Sequence, residues 1–188
     1  MNNIGQIILI VVFALLALIL FWGVGVYNKL INRRNKVKDQ FAQIDVQLKR
    51  RSDLIPNLVE TVKGYAKHEE GTLTAVIEAR NKLNTANNIN EEIEANNMLT
   101  GALNKLFALA ESYPDLKANA NFMSLQNDLK DTEDKISYAR QFYNDTVLTY
   151  NNLREMFPSN IVASIFKFEA FEFFKVDEPS KEAPKVKF

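Results

Sequence analysis

The sequence predicts an all-α protein in which an N-terminal transmembrane helix continues into an antiparallel up-and-down four-helix bundle, with a short Phe-rich C-terminal segment. Three observations lead to this prediction. Residues 7–26 contain no charged side chain. Beyond them, two long stretches place apolar residues in steps of three and four, which is the spacing of one helix face. Short turns separate the predicted helices, and short connections favour antiparallel neighbours.

The apolar run is predicted to span a membrane. Its twenty residues, at about 1.5 Å per residue, extend roughly 30 Å, which is the thickness of bilayer hydrocarbon. A cleaved signal peptide is the alternative, but no Lys or Arg precedes the run and no small-residue cleavage motif follows it. Trp22 and Tyr27 are aromatic residues of the kind found at membrane surfaces. We therefore predict a transmembrane helix over residues 7–27 and a short extracytoplasmic N-terminus over residues 1–6.

A basic collar follows the membrane segment and predicts its orientation. The collar consists of Lys29, Arg33, Arg34, Lys36 and Lys38, with no acidic residue among them. Because the cytoplasmic flanks of membrane helices are enriched in Lys and Arg, the body of the protein is expected to be cytoplasmic. Each basic side chain near an anionic leaflet contributes about 1 kcal/mol of attraction, so the collar is also a candidate set of lipid contacts.

The first helical stripe passes through a charged residue and a proline. Its members are Val37, Phe41, Ile44, Leu48, Arg51, Ile55, Leu58, Val62 and Tyr65. The stripe keeps its spacing across Pro56, so a continuous helix with a kink at Arg51, Ser52 and Pro56 is predicted. We expect the side chain of Ser52 or Asp53, with water, to meet the backbone groups that Pro56 frees. Arg51 lies on the apolar face, where it is expected to pair with an acid of a neighbouring helix. The candidate acids are Glu133 and Asp134.

Three further helices complete the predicted bundle. Shorter ones are predicted at about residues 73–86 and 91–110, from their apolar spacing and the turn residues around them. A longer one begins near Phe122 and continues to Phe157, where Pro158 ends it. Its stripe repeats in unbroken threes and fours and is wider than the stripe of a two-stranded coiled coil, which favours the face of a globular bundle.

The last helix is expected to run back towards the membrane, since direction alternates in an up-and-down bundle. This places a Phe-rich segment close to the bilayer. Its rings are Phe166, Phe168, Phe171, Phe173 and Phe174. Two interpretations stay open, because the rings either line the base of the bundle or lie in the headgroup layer. The predicted bundle domain covers residues 28–176, and the charged residues 177–188 are predicted to be a disordered tail.

Long ordered motifs make the sequence similar to the LemA family of bacterial membrane proteins. They are VYNKLINRRNKV, QIDVQLKRRSDLIPNLVETVKGYAKHE, EAR, SYPDLKAN with LQNDL, TEDKISYARQFYND, YNNLREMFPSNIVA and the closing FEFF. The resemblance covers nearly the whole chain. It implies a helix anchored in the bacterial inner membrane, a cytoplasmic helical bundle, and no established enzymatic activity or cofactor. The family includes a magnetosome-membrane protein, which implies a role in membrane organisation.

Composition and motifs argue against most chemistry. The chain has no cysteine and one histidine, His68, which excludes thiol nucleophiles, disulfides and Cys-rich zinc sites. A di-metal site in a helical bundle needs two Glu-x-x-His pairs, and one histidine cannot supply them. No glycine-rich phosphate loop occurs, and the basic cluster at residues 49–51 is too small to indicate nucleic-acid binding. We therefore predict no catalytic residue, no cofactor, no metal site and no nucleic-acid partner.

These expectations favour a non-catalytic interaction or scaffold module, with the lipid bilayer and either a protein partner or a second copy of the chain as its partners. The alternative is a ligand- or peptide-binding receptor that uses a groove of the bundle. Its candidate residues recur on one face of the last helix and are Tyr143, Asn144, Tyr150 and Asn151. Packing is the simpler interpretation, because buried tyrosines need partners for their hydroxyl groups.

Overall fold

In the computed structural model, which describes residues 2–66 and 69–174, every regular element is an α-helix. The helices are α1 (Asn2–Lys63), α2 (Glu70–Thr85), α3 (Ile89–Ala110), α4 (Pro114–Lys117), α5 (Ala120–Glu155) and α6 (Ser159–Ile165). The predicted all-α class is confirmed for this part of the chain. The tail predicted over residues 177–188 and the single histidine, His68, lie outside the described residues.

Helix α1 contains the predicted membrane segment. It has 62 residues and is the one helix in the described chain that is long and apolar enough to cross a membrane. Every side chain from Ile4 to Trp22 is exposed, so no other part of the described chain covers the apolar segment. Leu30 and Val37, further along the same helix, are completely buried. The change from bare apolar surface to packed core therefore takes place close to Tyr27.

The described residues form two compact units, and α1 and α5 each contribute to both. The first unit contains α1 up to Gln40, α5 from Tyr143 onwards, and α6 with the residues that follow it up to Phe173. Its buried residues include Leu30, Val37, Tyr143, Val147, Tyr150, Val162, Ala163 and Phe168.

The second unit contains the other halves of these two helices, together with α2, α3, α4 and Phe174. Its buried residues come from all four longer segments and include Ile44, Leu48, Ile55, Leu58, Leu73, Val76, Leu99, Leu103, Leu106, Phe122, Leu129 and Ile136. These positions repeat in threes and fours along each helix, so each segment turns one apolar face to a shared core. The arrangement is consistent with the predicted four-helix bundle.

Side chains satisfy backbone groups at several helix ends. At the start of α3, Asn88 Oδ1 accepts from the Glu91 N–H at 2.9 Å, and Glu91 Oε2 accepts from the Asn87 N–H at 2.8 Å. This reciprocal pair resembles a capping box. At the end of α5, Ser159 Oγ donates to the Leu153 carbonyl at 2.6 Å. The last turn of α5 therefore has a partner for a carbonyl that no longer accepts within the helix.

The connections differ from the prediction in two places. The motif SYPDLKAN, predicted as a turn, contains the single-turn helix α4, which begins at Pro114 because the ring fixes φ at a helical value. The last long helix ends at Glu155, before Pro158, and a separate short helix, α6, follows. The peptide bond between Phe157 and Pro158 is cis. The sequence analysis predicted neither α4 nor α6.

Candidate functional site

The second unit buries a charged side chain where α1, α3 and α5 meet. Arg51 of α1 is 3% exposed. Its Nη1 donates to Asn96 Oδ1 at 2.6 Å and to Thr100 Oγ1 at 3.1 Å, both on α3. The same nitrogen lies 2.5 Å from a carboxylate oxygen of Glu133 on α5. The expectation that Arg51 pairs with an acid of a neighbouring helix is confirmed, and Glu133 is that acid.

The surroundings of Arg51 explain how its charge is tolerated. Burial lowers the pKa of the guanidinium, the carboxylate of Glu133 opposes this shift, and the positive charge of Arg140 adds to it. The ordinary pKa of arginine lies so far above neutrality that the side chain stays charged. We define the Arg51 cluster as Arg51, Asn96, Thr100 and Glu133. Because a buried charge without partners would be very costly, the cluster stabilises one relative position of the three helices that contribute to it.

The proline of α1 lies one turn beyond this cluster, and α1 continues through it as predicted. Pro56 has no N–H, so the Ser52 carbonyl loses its intrahelical donor. Arg80 Nε of α2 donates to that carbonyl at 2.9 Å, while Ser52 Oγ donates to Asn84 Oδ1 of α2 at 2.7 Å. The expectation that Ser52 or Asp53 would meet the freed carbonyl is wrong, because α2 brings a stronger charged donor to it. The kink angle at Pro56 stays a prediction.

Two carboxylates line a surface cavity of about 220 Å³ in the second unit, together with Asn84 and Lys49. They are Asp45 of α1 and Glu92 of α3. The pKa of Glu92 is raised to about 7, chiefly by burial and also by the negative charge of Asp45, while the charge of Arg140 opposes both. Burial also raises the pKa of Asp45. Glu92 can therefore bind a proton near neutral pH, a property that the spacing of residues in the sequence does not indicate.

The described residues contain no group of three or more His, Asp or Glu side chains that could hold a metal ion. Asp45 and Glu92 supply two acidic ligands, which is fewer than hard cations usually take from a protein site.

In the first unit, α6 ends in a turn that starts an irregular segment. Lys167 has φ of 52°. Its N–H donates to the Ser164 carbonyl at 3.2 Å, and the Phe168 N–H donates to the Ala163 carbonyl at 2.9 Å. This pattern is a Schellman motif, in which glycine usually occupies the left-handed position. We call residues 168–173, which follow this turn without regular structure, the strap.

Side chains of α5 hold the main chain of the strap. Tyr150 Oη donates to the Glu169 carbonyl at 2.8 Å, and Tyr143 Oη donates to the Glu172 carbonyl at 3.1 Å. The amide of Asn151 donates to the Phe171 carbonyl at 2.9 Å and accepts from the Phe171 N–H at 3.2 Å. Arg154 Nε donates to the Phe168 carbonyl at 2.9 Å. We call Tyr143, Tyr150, Asn151 and Arg154 the ladder.

The ladder explains why tyrosine and asparagine recur on this face. A segment without helix or strand has unpaired backbone groups, which must find partners when buried. The pKa of Tyr143 is raised to about 12, chiefly by burial and also by the negative charge of Glu172. Burial likewise raises the pKa of Tyr150. Both hydroxyl groups therefore remain donors throughout the physiological pH range. The ladder contacts the main chain of the strap and not its side chains through these hydrogen bonds.

Three of the four residues predicted for a ligand or partner face belong to the ladder. Tyr143 and Tyr150 are fully buried and Asn151 is half-buried, while Asn144 is half-buried beside them. The strap of the chain itself occupies the face on which the receptor prediction placed a ligand. The sequence analysis missed Arg154, although its position three residues after Asn151 and four after Tyr150 puts it on the same helix face.

The Phe-rich segment divides between packed and exposed rings. In the first unit, Phe168 is buried against Tyr27, with ring centroids 5.8 Å apart, and Phe171 packs on Tyr150 at 5.2 Å. Phe166 and Phe173 are exposed. In the second unit, Phe174 is buried and stacks on Phe41 at 6.3 Å. Neither of the two sequence interpretations describes all five rings.

The basic collar also divides. Lys29, Lys36 and Lys38 are exposed, whereas Arg33 and Arg34 are half-buried. The guanidinium carbon of Arg34 lies 5.5 Å from the centre of the Phe168 ring, which is a cation–π distance. Three lysines therefore have the exposure that lipid headgroups require, while Arg34 packs against the strap.

Comparisons with known proteins identify one family and several relatives that are similar to this chain. Residues 40–188 match the model of the LemA family. Protein LemA of Metamycoplasma hominis is 27% identical over 175 residues, which cover 86% of this chain and 77% of that protein. Magnetosome protein MamQ 2 of Paramagnetospirillum magneticum is 23% identical over 184 residues, covering 84% of this chain and 67% of that protein. Magnetosome protein MamQ of Magnetospirillum gryphiswaldense matches with the same identity and coverage. Together with the apolar segment of α1, these relatives support a membrane protein.

Proposed function

The chain belongs to the LemA family, and from this premise we propose that it is a membrane-anchored, non-catalytic interaction module. The observation that carries the proposal is α1, which runs without a break from the exposed apolar segment into buried positions of both units. One continuous helix fixes the direction in which the body leaves the membrane. Such an arrangement suits a scaffold, and we assign no catalytic, cofactor or metal role to any residue.

We propose the following placement in the bacterial inner membrane. Residues 1–6 lie outside the cytoplasm, residues 7–27 span the bilayer, and residues 28–176 form the cytoplasmic body. The basic collar supports this orientation. Single cysteines at Asn3 and Tyr138 test it, because the chain has no other cysteine. A membrane-impermeant maleimide added to spheroplasts should label Asn3→Cys and should leave Tyr138→Cys unlabelled until the cells are lysed. The reverse pattern would contradict the placement.

We further propose that the body binds a protein partner or a second copy of the chain, in a role in membrane organisation. The similarity to magnetosome proteins supports this role. Exposed lysines such as Lys36 and Lys38 make the chain accessible to amine-reactive cross-linkers.

Cross-linking in native membranes tests the interaction. The control is the same membranes dissolved and diluted in detergent before the cross-linker is added, so that chance collisions become rare. A reproducible adduct heavier than the monomer is expected, and mass spectrometry of the adduct identifies the partner. Recovery of the monomer alone, at several cross-linker lengths, would contradict the interaction role and leave the membrane anchor unaffected.

A second candidate function is a receptor for peptide segments, and the ladder favours it. Its groups recognise main chain through both donor and acceptor contacts, as Asn151 shows with Phe171. A segment from another protein could make the same bonds if the strap left the groove. Peptide-recognition sites commonly combine such main-chain bonds with pockets for alternate side chains.

A labelled peptide with the sequence of residues 167–174 tests the receptor function. The full-length protein should bind it more tightly when Phe168→Ala and Phe171→Ala loosen the resident strap, because the rings that hold the strap are then lost. Adding Asn151→Ala should remove the binding. Equal binding with and without Asn151 would contradict a role for the ladder.

A further inference from the structure

A band of exposed apolar side chains surrounds α6 in the first unit. The band consists of Met156 (63% exposed), Phe157 (79%), Ile161 (49%), Ile165 (68%) and Phe166 (57%). Single exposed apolar residues are ordinary on protein surfaces, whereas a contiguous group of large ones marks an interaction surface. All five fall within residues 156–166, and we call them the α6 patch.

The α6 patch is one face of an amphipathic element. Val162 and Ala163 are buried in the first unit, while Ile161 and Ile165 are exposed four residues apart. That spacing places the two isoleucines on the same side of the helix. The helix therefore packs on the protein with one side and leaves the other side bare.

The α6 patch lies where α1 leaves its apolar segment. The ring of Phe166 is 4.7 Å from the ring of Tyr27, measured between centroids. Tyr27 directly follows the apolar run, and α1 changes from Val24, which is 59% exposed, to Leu30, which is completely buried. The Phe166 end of the patch therefore lies beside the end of the exposed apolar segment of α1.

We propose that the α6 patch is a second membrane contact, which enters the boundary between headgroups and acyl chains beside the anchor. Amphipathic helices rest at this depth, with apolar residues about 5–10 Å into the boundary. Phe157 and Phe166 supply the aromatic side chains that favour this layer. Lys29 and Lys167 are exposed in the same unit, and Lys167 adjoins Phe166 in the chain, so they can meet lipid phosphates.

This second contact has a mechanical consequence. A single helix can rotate about its own axis and tilt within the bilayer. A second contact on one side of the anchor fixes its rotation and selects which side of the first unit faces the membrane. The inference rests on the anchor of the proposed function and adds to it a defined orientation of the first unit.

Fluorescence of single cysteines tests the proposal in the full-length protein. Ile161→Cys, Ser164→Cys and Ile165→Cys are labelled with an environment-sensitive nitrobenzoxadiazole dye. The variants are reconstituted into vesicles of phosphatidylethanolamine and phosphatidylglycerol. Tyr138→Cys, at an exposed aromatic position of the second unit, is the aqueous control. Leu18→Cys, in the apolar segment of α1, is the lipid control. Circular dichroism confirms that each labelled variant keeps its helical content.

The expected result is blue-shifted emission at Ile161 and Ile165, with loss of intensity when the vesicles contain lipid carrying a doxyl quencher near the headgroup. Tyr138→Cys should show neither effect. Emission as in water at all three α6 positions, with Leu18→Cys quenched, would overturn the patch contact and leave the anchor standing. Blue-shifted but unquenched emission would also overturn it, because a protein surface would then cover the patch. Leu18→Cys lies near the centre of the proposed span, so it is read in vesicles whose lipid carries the doxyl group deep in the acyl chains. Unquenched emission there would overturn the anchor, and the patch contact with it.

Discussion

The Arg51 cluster in the second unit and the ladder in the first unit both use polar side chains in buried surroundings. They differ in the group that these side chains bind, which is a charged side chain in the cluster and the main chain in the ladder. The cluster surrounds a charge that is 3% exposed, with partners from two other helices. The ladder surrounds the main chain of the strap, and most of its donors are neutral. A charge cannot be left unpaired without a large cost, whereas a backbone group can return to water at a small one.

The difference indicates which contacts are permanent and which can open. Separating the helices around Arg51 exposes an ion pair and several hydrogen bonds together. Releasing the strap exchanges individual hydrogen bonds with water, each worth about 0.5–1.5 kcal/mol net, and uncovers the Phe168 and Phe171 rings. The second unit is therefore expected to be the stable core, and the strap the part of the first unit that opens most easily.

Arg51→Ala should have the largest effect. It leaves Glu133 without its cation and removes a donor from Asn96 and Thr100. Truncating one member of a fully buried ion pair costs about 3–5 kcal/mol, and the loss here should be smaller because Glu133 is 38% exposed and water can reach it. Urea unfolding of the full-length protein in detergent, followed by circular dichroism, measures the loss. The matched control is Arg50→Ala, since Arg50 is the exposed neighbour of the same type. Equal effects of the two substitutions would contradict the role of the cluster.

Asn151→Ala should weaken the strap and spare the second unit. It removes both bonds to Phe171, so the strap should lose about 1–3 kcal/mol of local stability. Faster amide exchange of the Phe171 N–H, without a change in helical content, is the expected observation. Asn152→Ala is the control, because Asn152 is exposed on the same helix. If Asn151→Ala unfolds the whole protein, the strap is part of the stable core.

Glu92→Gln should change how stability depends on pH. The pKa of Glu92 is raised from 4.5 to about 7 in the folded protein. Between these values the unfolded chain releases the proton while the folded protein keeps it, so the free energy of unfolding falls as pH rises. Above the folded pKa the penalty is complete, and it amounts to roughly 1–2 kcal/mol once solvent screening of this half-exposed group is considered.

The substitution removes that ionisation, so the variant should be more stable than the parent at about pH 8 and similar to it at about pH 5. Thermal unfolding across the pH range measures the difference. Glu94→Gln, at an exposed position of the same helix, should leave the profile of the parent unchanged. A Glu92→Gln profile parallel to that of the parent would show that the pKa of this carboxyl group is not raised by folding.

Lys167→Gly should have the smallest effect, and it should stabilise the strap. The left-handed φ of 52° at Lys167 is strained for a side chain with a β-carbon and costs nothing for glycine. The strap should gain up to about 1 kcal/mol, seen as slower exchange of its amides. Ala170→Gly, in the same strap, should lose stability because glycine raises the entropy of the unfolded chain without relieving strain. Slower exchange in both variants would contradict this interpretation.

The spacing of apolar residues predicted the helices and their buried faces, because helix period and burial are local properties of the sequence. It also indicated that Arg51 needs an acid, since the stripe kept its phase across a charged position. Spacing does not say which neighbouring side chain reaches a given atom. The bond from Arg80 to the Ser52 carbonyl was therefore missed, and a local partner was expected instead.

The strap and the α6 patch were harder to predict for a related reason. The sequence around Phe166 and Phe168 shows aromatic content without a clear period, so the pattern could not separate buried rings from exposed ones. Their separation depends on the turn at Lys167, which redirects the chain after α6. The raised pKa of Glu92 depends on two helices bringing carboxylates to one cavity, which no single stretch of sequence records.

Hydrogen exchange of the full-length protein in lipid nanodiscs tests the contrast between the two regions most directly. The Phe171 N–H, which donates to Asn151 in the ladder, should exchange much faster than the amides of Ile55 and Leu58, which flank the Arg51 cluster on α1. Asn151→Ala should raise the exchange rate of the Phe171 N–H and leave the exchange rates of the Ile55 and Leu58 amides unchanged. The contrary result is one protection factor common to all three amides, which Asn151→Ala changes by the same amount in each. It would show that the strap and the core open together, and it would contradict a strap that opens on its own.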